Sequence, residues 1–339
     1  MSIARAALLV TLGALCASCS SFLGWQDDPA RTLRGPVPTR TQQPIKLTYL
    51  SFRPRLADTQ PEGKMSLGVI SQYSNLFQNG HSFTEKVVID GEIWRNSLVF
   101  RGGIAPNSDI EFEIPIMYTS NGFLDPVIDW WHKVFGFSKE DRASRPQNAY
   151  EIDVQKNGHS VYDLEGYHVG LGDIPLILTH RVCEDAPDWP AIAVRLGVEF
   201  PTGSESAGFG NGQVDAGGGL LLQHSFGRWT TTGAVDYVHP RASSAFVDSG
   251  IKPAEQVDGQ LGIEYRWNDA SSLLCGFVLE TPVTRDIPLK EIDKPILSLD
   301  LGVAWDLTMR SQLFAGFTED VIAESGPDIT FNLIWKMQF

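Results

Sequence analysis

Residues 329–339 read ITFNLIWKMQF, and an apolar side chain recurs at every second position: Ile329, Phe331, Leu333, Trp335, Met337 and Phe339, with Thr330, Asn332, Lys336 and Gln338 between them. Side chains of a β-strand alternate between its two faces, so this segment presents one wholly apolar face and one polar face. Such a strand meets lipid on one side and a wetter space on the other. An ordinary edge strand carries such a pattern once; recurrence upstream is what separates the two readings.

The pattern does recur. Leu297, Leu299, Leu301, Val303, Trp305 and Leu307 alternate with Ser298, Asp300, Gly302, Ala304 and Asp306, and Ile110, Phe112, Ile114, Ile116 and Tyr118 alternate with Asp109, Glu111 and Glu113. The same period runs through 257–267 and 192–200. Twelve strands are expected, near 64–77, 84–104, 109–120, 166–182, 191–201, 213–225, 229–239, 255–267, 271–281, 296–307, 311–320 and 328–339. An even number suits a single-chain bacterial barrel. Most segments reach the about 9–11 residues that a tilted strand needs to cross a bilayer.

The connections agree. Links at 105–108, 226–228, 268–270 and 308–310 are very short and that at 183–190 is moderate, whereas those at 121–165, 202–212, 240–254 and 282–295 are longer. Short periplasmic turns alternating with long external loops are expected when both termini are periplasmic. Trp229, Trp267, Trp305 and Trp335 fall at the predicted periplasmic strand ends, where an interfacial aromatic girdle belongs. A final strand ending on Phe339 also resembles the C-terminal signal of bacterial outer-membrane barrels, which makes the barrel assembly machinery an expected partner. The expected fold class is all-β: a 12-stranded antiparallel transmembrane β-barrel over 64–339, in contact with outer-membrane lipid, with one short helix in a long external loop.

Composition removes other classes. The 339 residues include 27 Lys and Arg against 41 Asp and Glu, a formal net charge of −14, and phosphate binding needs a basic surface, so no nucleic-acid partner is expected. Residues 1–20 place Arg5 before an apolar run at 6–15 and then small residues, the layout of a signal peptide. Cys19, after Leu15-Cys16-Ala17-Ser18, resembles a lipoprotein cleavage site and is a lipidation candidate, although Cys16 stands where Leu is usual. Ordinary cleavage near 17–20 is the alternative. Cys183 and Cys275 have unrelated contexts, and no disulfide is expected between them.

Two insertions stand apart from the strands. Residues 21–63 are rich in Pro, Arg, Asp and Gln, and form either a periplasmic tail or a luminal plug, with residues 37–63 favoured to fill part of a lumen intermediate between closed and porin-like. Loop 121–165 holds FLDPVIDWWHKVFGF, where Asp125 can cap, Pro126 suits a first helical position and Gly136 a stop. Val127, Ile128, Trp131, Val134 and Phe135 would then share one face, against lipid, over the outer mouth or within the loop.

Five segments, RTQQP at 40–44, DGEIWR at 90–95, GFLDPVIDWWHKVFGF at 122–137, GLGD at 170–173 and EFPTGS at 199–204, resemble the bacterial family called domain of unknown function 3187. The resemblance covers most of the chain after the signal and implies an outer-membrane barrel; it carries over no activity and no site residue.

Little in the sequence points to catalysis. Its seven histidines form no HExxH and no pair at helical metal-ligand spacing, so no metal or cofactor is expected. A lipid hydrolase would need a Ser and a His at the outer rim, with His239, His168, Ser243 and Ser244 as candidates. The lumen-facing set comprises Arg95, Arg101, Glu111, Glu113, Arg181, Arg195, Glu199, Asp215, Asp236, Asp258, Glu264, Arg266, Asp300, Asp306 and Lys336. It can be a self-satisfied network filling a narrow barrel. Alternatively its members, above all Arg95, Arg101, Glu111, Glu113, Arg195, Glu199, Asp258, Glu264, Arg266 and Asp300, form a constriction, and its nine acids against six bases weakly favour cations or neutral solutes. The expected function is a narrow channel or transporter for small solutes. A closed structural barrel acting through its N-terminal segment and long loop is the alternative, and a lipid hydrolase a further one.

Overall fold

Alternating segments that bury one face against polar groups and turn the other outward need a closed sheet, because an open one would leave two unpaired edges. The computed structural model describes residues 33–135, 145–164, 166–322 and 325–339; the signal segment, Cys19 and Gly136 lie outside these. In chain order the strands are β1 Met65–His81, β2 Glu85–Ala105, β3 Ser108–Ser120, β4 Glu151–Lys156, β5 His159–Leu164, β6 Val169–Leu171, β7 Ile174–Cys183, β8 Ala191–Phe200, β9 Asp215–Phe226, β10 Trp229–His239, β11 Gln256–Asn268, β12 Ser271–Glu280, β13 Ile296–Thr308, β14 Ser311–Asp320 and β15 Ile329–Gln338. Twelve of them, β1 to β3 and β7 to β15, make an antiparallel barrel. It closes where β15 pairs with β1, from Ser66↔Gln338 to Asn75↔Ile329.

The turns at one end are short and the loops at the other are long, except for the three-residue β1–β2 connection at 82–84. Residues 34 and 339 both lie at the short-turn end, Arg34 Nη2 donating to Asp269 O at 2.7 Å and Phe339 donating its backbone N–H to Met65 O at 2.8 Å. Apolar residues such as Val235, Leu261, Ile263, Phe331 and Leu333 cover the outer wall. Trp229, Trp267, Trp305 and Trp335 all sit at the short-turn end of their strands, where Trp335 Nε1 donates to Ser311 Oγ at 2.8 Å and Trp229 packs 4.5 Å from Tyr265.

Two strands depart from expectation. The stretch 121–165 contains a hairpin, β4–β5, besides its helix, and β4 pairs with the outer part of β2 from Glu85↔Lys156 to Asp90↔Glu151. β2 is 21 residues long, so its outer part rises beyond its barrel neighbour β3 and needs the hairpin to satisfy its second edge. The single strand expected at 166–182 is broken between β6 and β7. Opposite the break lies Pro115 of β3, which has no N–H to give to the ladder; only its carbonyl takes part, accepting from Gly172 N at 3.0 Å.

The main apolar core is not at mid-barrel. Ile45, Leu47 and Tyr49 pack with Phe246, Ile251, Val283, Ile287 and Ile292 of the long loops and with Val154, Val161 and Leu164 of the hairpin, all at the long-loop end.

Candidate functional site

Segment 33–60 carries five bases (Arg34, Arg40, Lys46, Arg53, Arg55) and one acid (Asp58), and the inward wall of the barrel is acidic; opposite charges out of bulk water need one another. The segment lies inside the lumen as an inverted U. It starts at the short-turn end, where Arg34 pairs with Asp306 and the backbone N–H groups of Arg34 and Gly35 donate to Glu264 Oε2 at 3.1 and 3.0 Å. Rising, Thr39 Oγ1 donates to Asp300 Oδ2 at 2.9 Å. The helical turn Pro44–Leu47 forms the bend, with Lys46 Nζ 3.0 Å from Asp258 Oδ2.

The descending leg begins with Ser51 Oγ donating to Glu280 Oε1 at 3.2 Å. Arg53 Nη2 then donates to Glu113 Oε1 at 2.7 Å. Phe52 lies under Arg195, whose Cζ is 4.8 Å from the ring centroid, and only a glycine fits opposite: a Cβ on Gly197 would stand 2.8 Å from that ring. Lower down, Arg55 Nη2 lies 3.2 Å from Asp109 Oδ2, and Gln60 N donates to the same oxygen at 2.8 Å.

This geometry places the sequence-derived lumen residues. Arg95 pairs with Glu113 at 2.7 Å, Arg101 with Asp109 at 2.5 Å and Arg195 with Asp236 at 2.6 Å, all within the wall. Glu111, Glu199, Asp258, Glu264 and Asp300 instead meet the N-terminal segment, through Arg55, Arg40, Lys46, the backbone at 34–35 and Thr39. Arg266 shares the inward parity of Asp258 and Glu264 on β11. The wall network is therefore not self-satisfied, because its acid excess is matched by bases from outside the strands. Sequence reasoning passed over Asp109, fully buried between Arg55 and Arg101, although its parity with Glu111 and Glu113 marks it as inward. Glu280 was passed over too, being the last residue of its strand.

A cavity of about 580 Å³ remains between the two legs at the short-turn end. Its lining includes Arg34, Arg53, Arg55, Arg101, Lys336, Leu56, Leu67, Ile70 and Val99. At the other end the apolar core of loops and hairpin sits on the bend of the segment.

The long-loop helix, Asp125–Phe135, is held differently from expectation. Glu92, not Asp125, takes the N-terminal donors: its Oε1 accepts from Phe123 N at 2.9 Å and Leu124 N at 2.6 Å. Asp125 faces back and accepts from Asn75 Nδ2 at 3.0 Å and Asn148 N at 2.6 Å. Leu124 and Ile128 are buried, whereas Val127 and Val134, expected on the same face as Ile128, are about half exposed, together with Phe123 and Trp130. The buried stripe begins one residue before the helix, which rotates the apolar set away from the expected grouping. The side chains of Trp131 and Phe135 lie outside the description.

These contacts turn the five family-like segments into three structural units. DGEIWR supplies the Glu92 that seats GFLD. GLGD supplies Asp173, which accepts from Gly203 N of EFPTGS at 2.7 Å and from Asn211 N at 3.2 Å. RTQQP lines the luminal ascent, where Gln42 Nε2 donates to Gln72 Oε1 at 3.3 Å.

The hydrolase candidates are not brought together. His239 Nδ1 lies 2.9 Å from Glu255, Ser243 is buried with its Oγ accepting from Phe246 N, Ser244 donates to Glu205 Oε1, and His168 packs against Phe209. Ser108 Oγ meets His180 Nδ1 at 2.9 Å, but at the short-turn end, a pair with no carboxylate partner among the described contacts. No metal-binding group of three or more His, Cys, Asp or Glu occurs among the described residues.

A closed 12-stranded barrel with an apolar outer belt and a polar lumen is an outer-membrane β-barrel protein, and its location is the bacterial outer membrane. The chain belongs to the family described as Protein of unknown function (DUF3187), whose model matches residues 17–339. Among solved structures it is similar to the COG4313 outer membrane channel from Pseudomonas putida F1, with a TM-score of 0.56 at 14% identity, covering 85% of this chain and 100% of that one. It also matches the NanC porin, at a TM-score of 0.45 and 8% identity over 80% of this chain and 98% of that one. The Pseudomonas putida toluene transporter TodX matches at 0.35 and 9%, over 91% and 99%. No curated protein shows a matching sequence.

Proposed function

We propose that this barrel is a narrow channel or transporter for small solutes, held shut by residues 33–60 acting as a plug, with the short turns and both termini periplasmic and the long loops external. The carrying observation is the chemistry of the seat. Arg34, Thr39, Lys46, Ser51, Arg53 and Arg55 each meet a polar wall group, so the wall that the segment would leave behind carries hydrophilic groups along its whole height, between the smaller apolar patches that hold Val37 and Leu50. Water can replace such partners, whereas a lumen seated on apolar side chains would dewet and stay closed. The shared fold with a solved outer-membrane channel supports the class. An emptied lumen would be acidic and would favour cations or neutral solutes weakly.

Bilayer conductance tests this directly, on the mature protein, on Lys46→Ala, and on a variant lacking residues 33–60. The intact barrel should be nearly silent, Lys46→Ala should open intermittently, and the deletion should conduct steadily. Silence of all three, with the barrels refolded, sinks the channel reading and leaves a closed barrel that acts through its surfaces.

A further inference from the structure

We propose that the cavity at the short-turn end is a binding site for a small organic anion, one that carries a carboxylate or phosphate group on a short apolar body, and that its occupation holds the plug in place. A volume of about 580 Å³ is that of a small-molecule pocket. Its walls are of two kinds. Leu56, Leu67, Ile70, Val99 and Ile177 supply apolar surface, while seven bases and three acids are among the polar residues that line the rest. Most of those bases already have carboxylate partners: Arg34 has Asp306, Arg53 has Glu113, Arg55 and Arg101 share Asp109, and Arg195 has Asp236. Lys336 does not.

Lys336 stands on β15 among the inward positions, opposite Gly68 of β1 and Gln312 of β14, and its side chain makes no hydrogen bond or ion pair among the described residues. Arg55, Arg101, Glu111 and Glu264 are the charged groups that face it, two of each sign, and Glu111 is within 3.8 Å of Arg55 while Glu264 is engaged by Arg34 and Gly35. An ammonium in a largely apolar, partly enclosed cavity, with its nearest acids already committed, is a vacant half of an ion pair. A carboxylate or phosphate beside Lys336 completes it, and the apolar walls then receive the body of the ligand.

The regulatory part follows from who builds the site. Arg34, Arg53, Arg55 and Leu56 come from the plug; Lys336, Arg101, Leu67 and Val99 come from the barrel. A ligand touching both halves binds only the plugged state, and by mass action it stabilises that state. This part rests on the channel reading; the binding itself does not.

The test uses the full mature chain refolded in nanodiscs, with hexanoate as the probe and hexanamide as its neutral isostere, followed by calorimetry. Hexanoate should bind at least tenfold more tightly than hexanamide, and Lys336→Gln should erase most of that difference while Lys336→Arg keeps it. Equal binding of the two probes to the unmutated protein overturns the site without reliance on any variant, and so does full retention of the preference in Lys336→Gln. Added to the Lys46→Ala barrel in a bilayer, hexanoate should lower open probability. Conductance of Lys46→Ala that hexanoate leaves unchanged overturns the regulatory part, whereas binding by barrels that never conduct removes the channel reading and leaves the anion site standing.

Discussion

Arg53 and Glu113 meet at 2.7 Å in the middle of the lumen, one from the N-terminal segment and one from the third strand, and the same glutamate oxygen also lies 2.7 Å from Arg95. One carboxylate thus balances two buried guanidinium groups, with Ser97 Oγ donating at 2.6 Å as well. The asymmetry of that arrangement is measurable. Glu113→Gln leaves two buried cations without their counter-charge and should cost about 3–5 kcal/mol. Arg53→Ala leaves Glu113 still paired with Arg95 and should cost less, about 1.5–3 kcal/mol. Urea unfolding of the refolded barrels compares the two, and equal losses would show that Glu113 does not serve both arginines.

The helix of the long loop hangs on Glu92. Gly122 sits at a φ of +63°, and a Cβ there would lie 1.7 Å from Glu92 Cδ. Gly122→Ala should therefore expel the carboxylate from its two backbone donors, loosening the helix start by about 1–2 kcal/mol. Limited trypsin digestion reads this at the exposed Lys133: cleavage should accelerate severalfold, with the barrel itself still resistant. An unchanged digestion rate counts against Glu92 as the seat.

Asp173 ties the start of β7 to the loop carrying EFPTGS through Gly203 N and Asn211 N. Asp173→Ala strands the buried Asn211 N–H and the half-buried Gly203 N–H and should lower the unfolding free energy by about 1–3 kcal/mol. Amide exchange should show the loss of protection at Gly203 and Asn211 first. Protection retained at both positions would mean that water or another acceptor takes over.

The hairpin above the barrel gives a pH dependence. Burial pushes the Tyr162 phenol up to about 12. Its unfolded value is near 10, so the neutral form is favoured by folding: that stability is whole below about pH 10 and drains away as pH rises towards 12. The wild-type thermal midpoint should therefore fall between pH 10 and 12 by more than that of Tyr162→Phe. Parallel curves for the two proteins would contradict the assignment.

Legibility from sequence followed the presence of a period. The barrel strands repeat every two residues, so parity alone sorted Glu113 and Asp300 inward and Leu333 and Trp267 outward. Asp109 was within reach of the same rule. The β4–β5 hairpin had a signal of another kind, the Asn157-Gly158 pair whose φ values of +52° and +74° make a turn that matches strand twist. The path of residues 33–60 had none: its contacts are to wall residues such as Gln72, 30 positions from Gln42, and Asp300, 261 positions from Thr39, and nothing local encodes them. Its five bases opposite an acidic wall were the one trace in composition, visible only when both are placed in the same space.

The inverted U has a topological consequence. Residues 33 and 60 sit at the same mouth, so the segment is a bight pushed into a tube rather than a thread passed through it. A bight can be inserted after the ring of strands has sealed and withdrawn without freeing an end. Such a topology puts no knot between an empty cylinder and a filled one, so filling can follow closure of the ring instead of having to precede it.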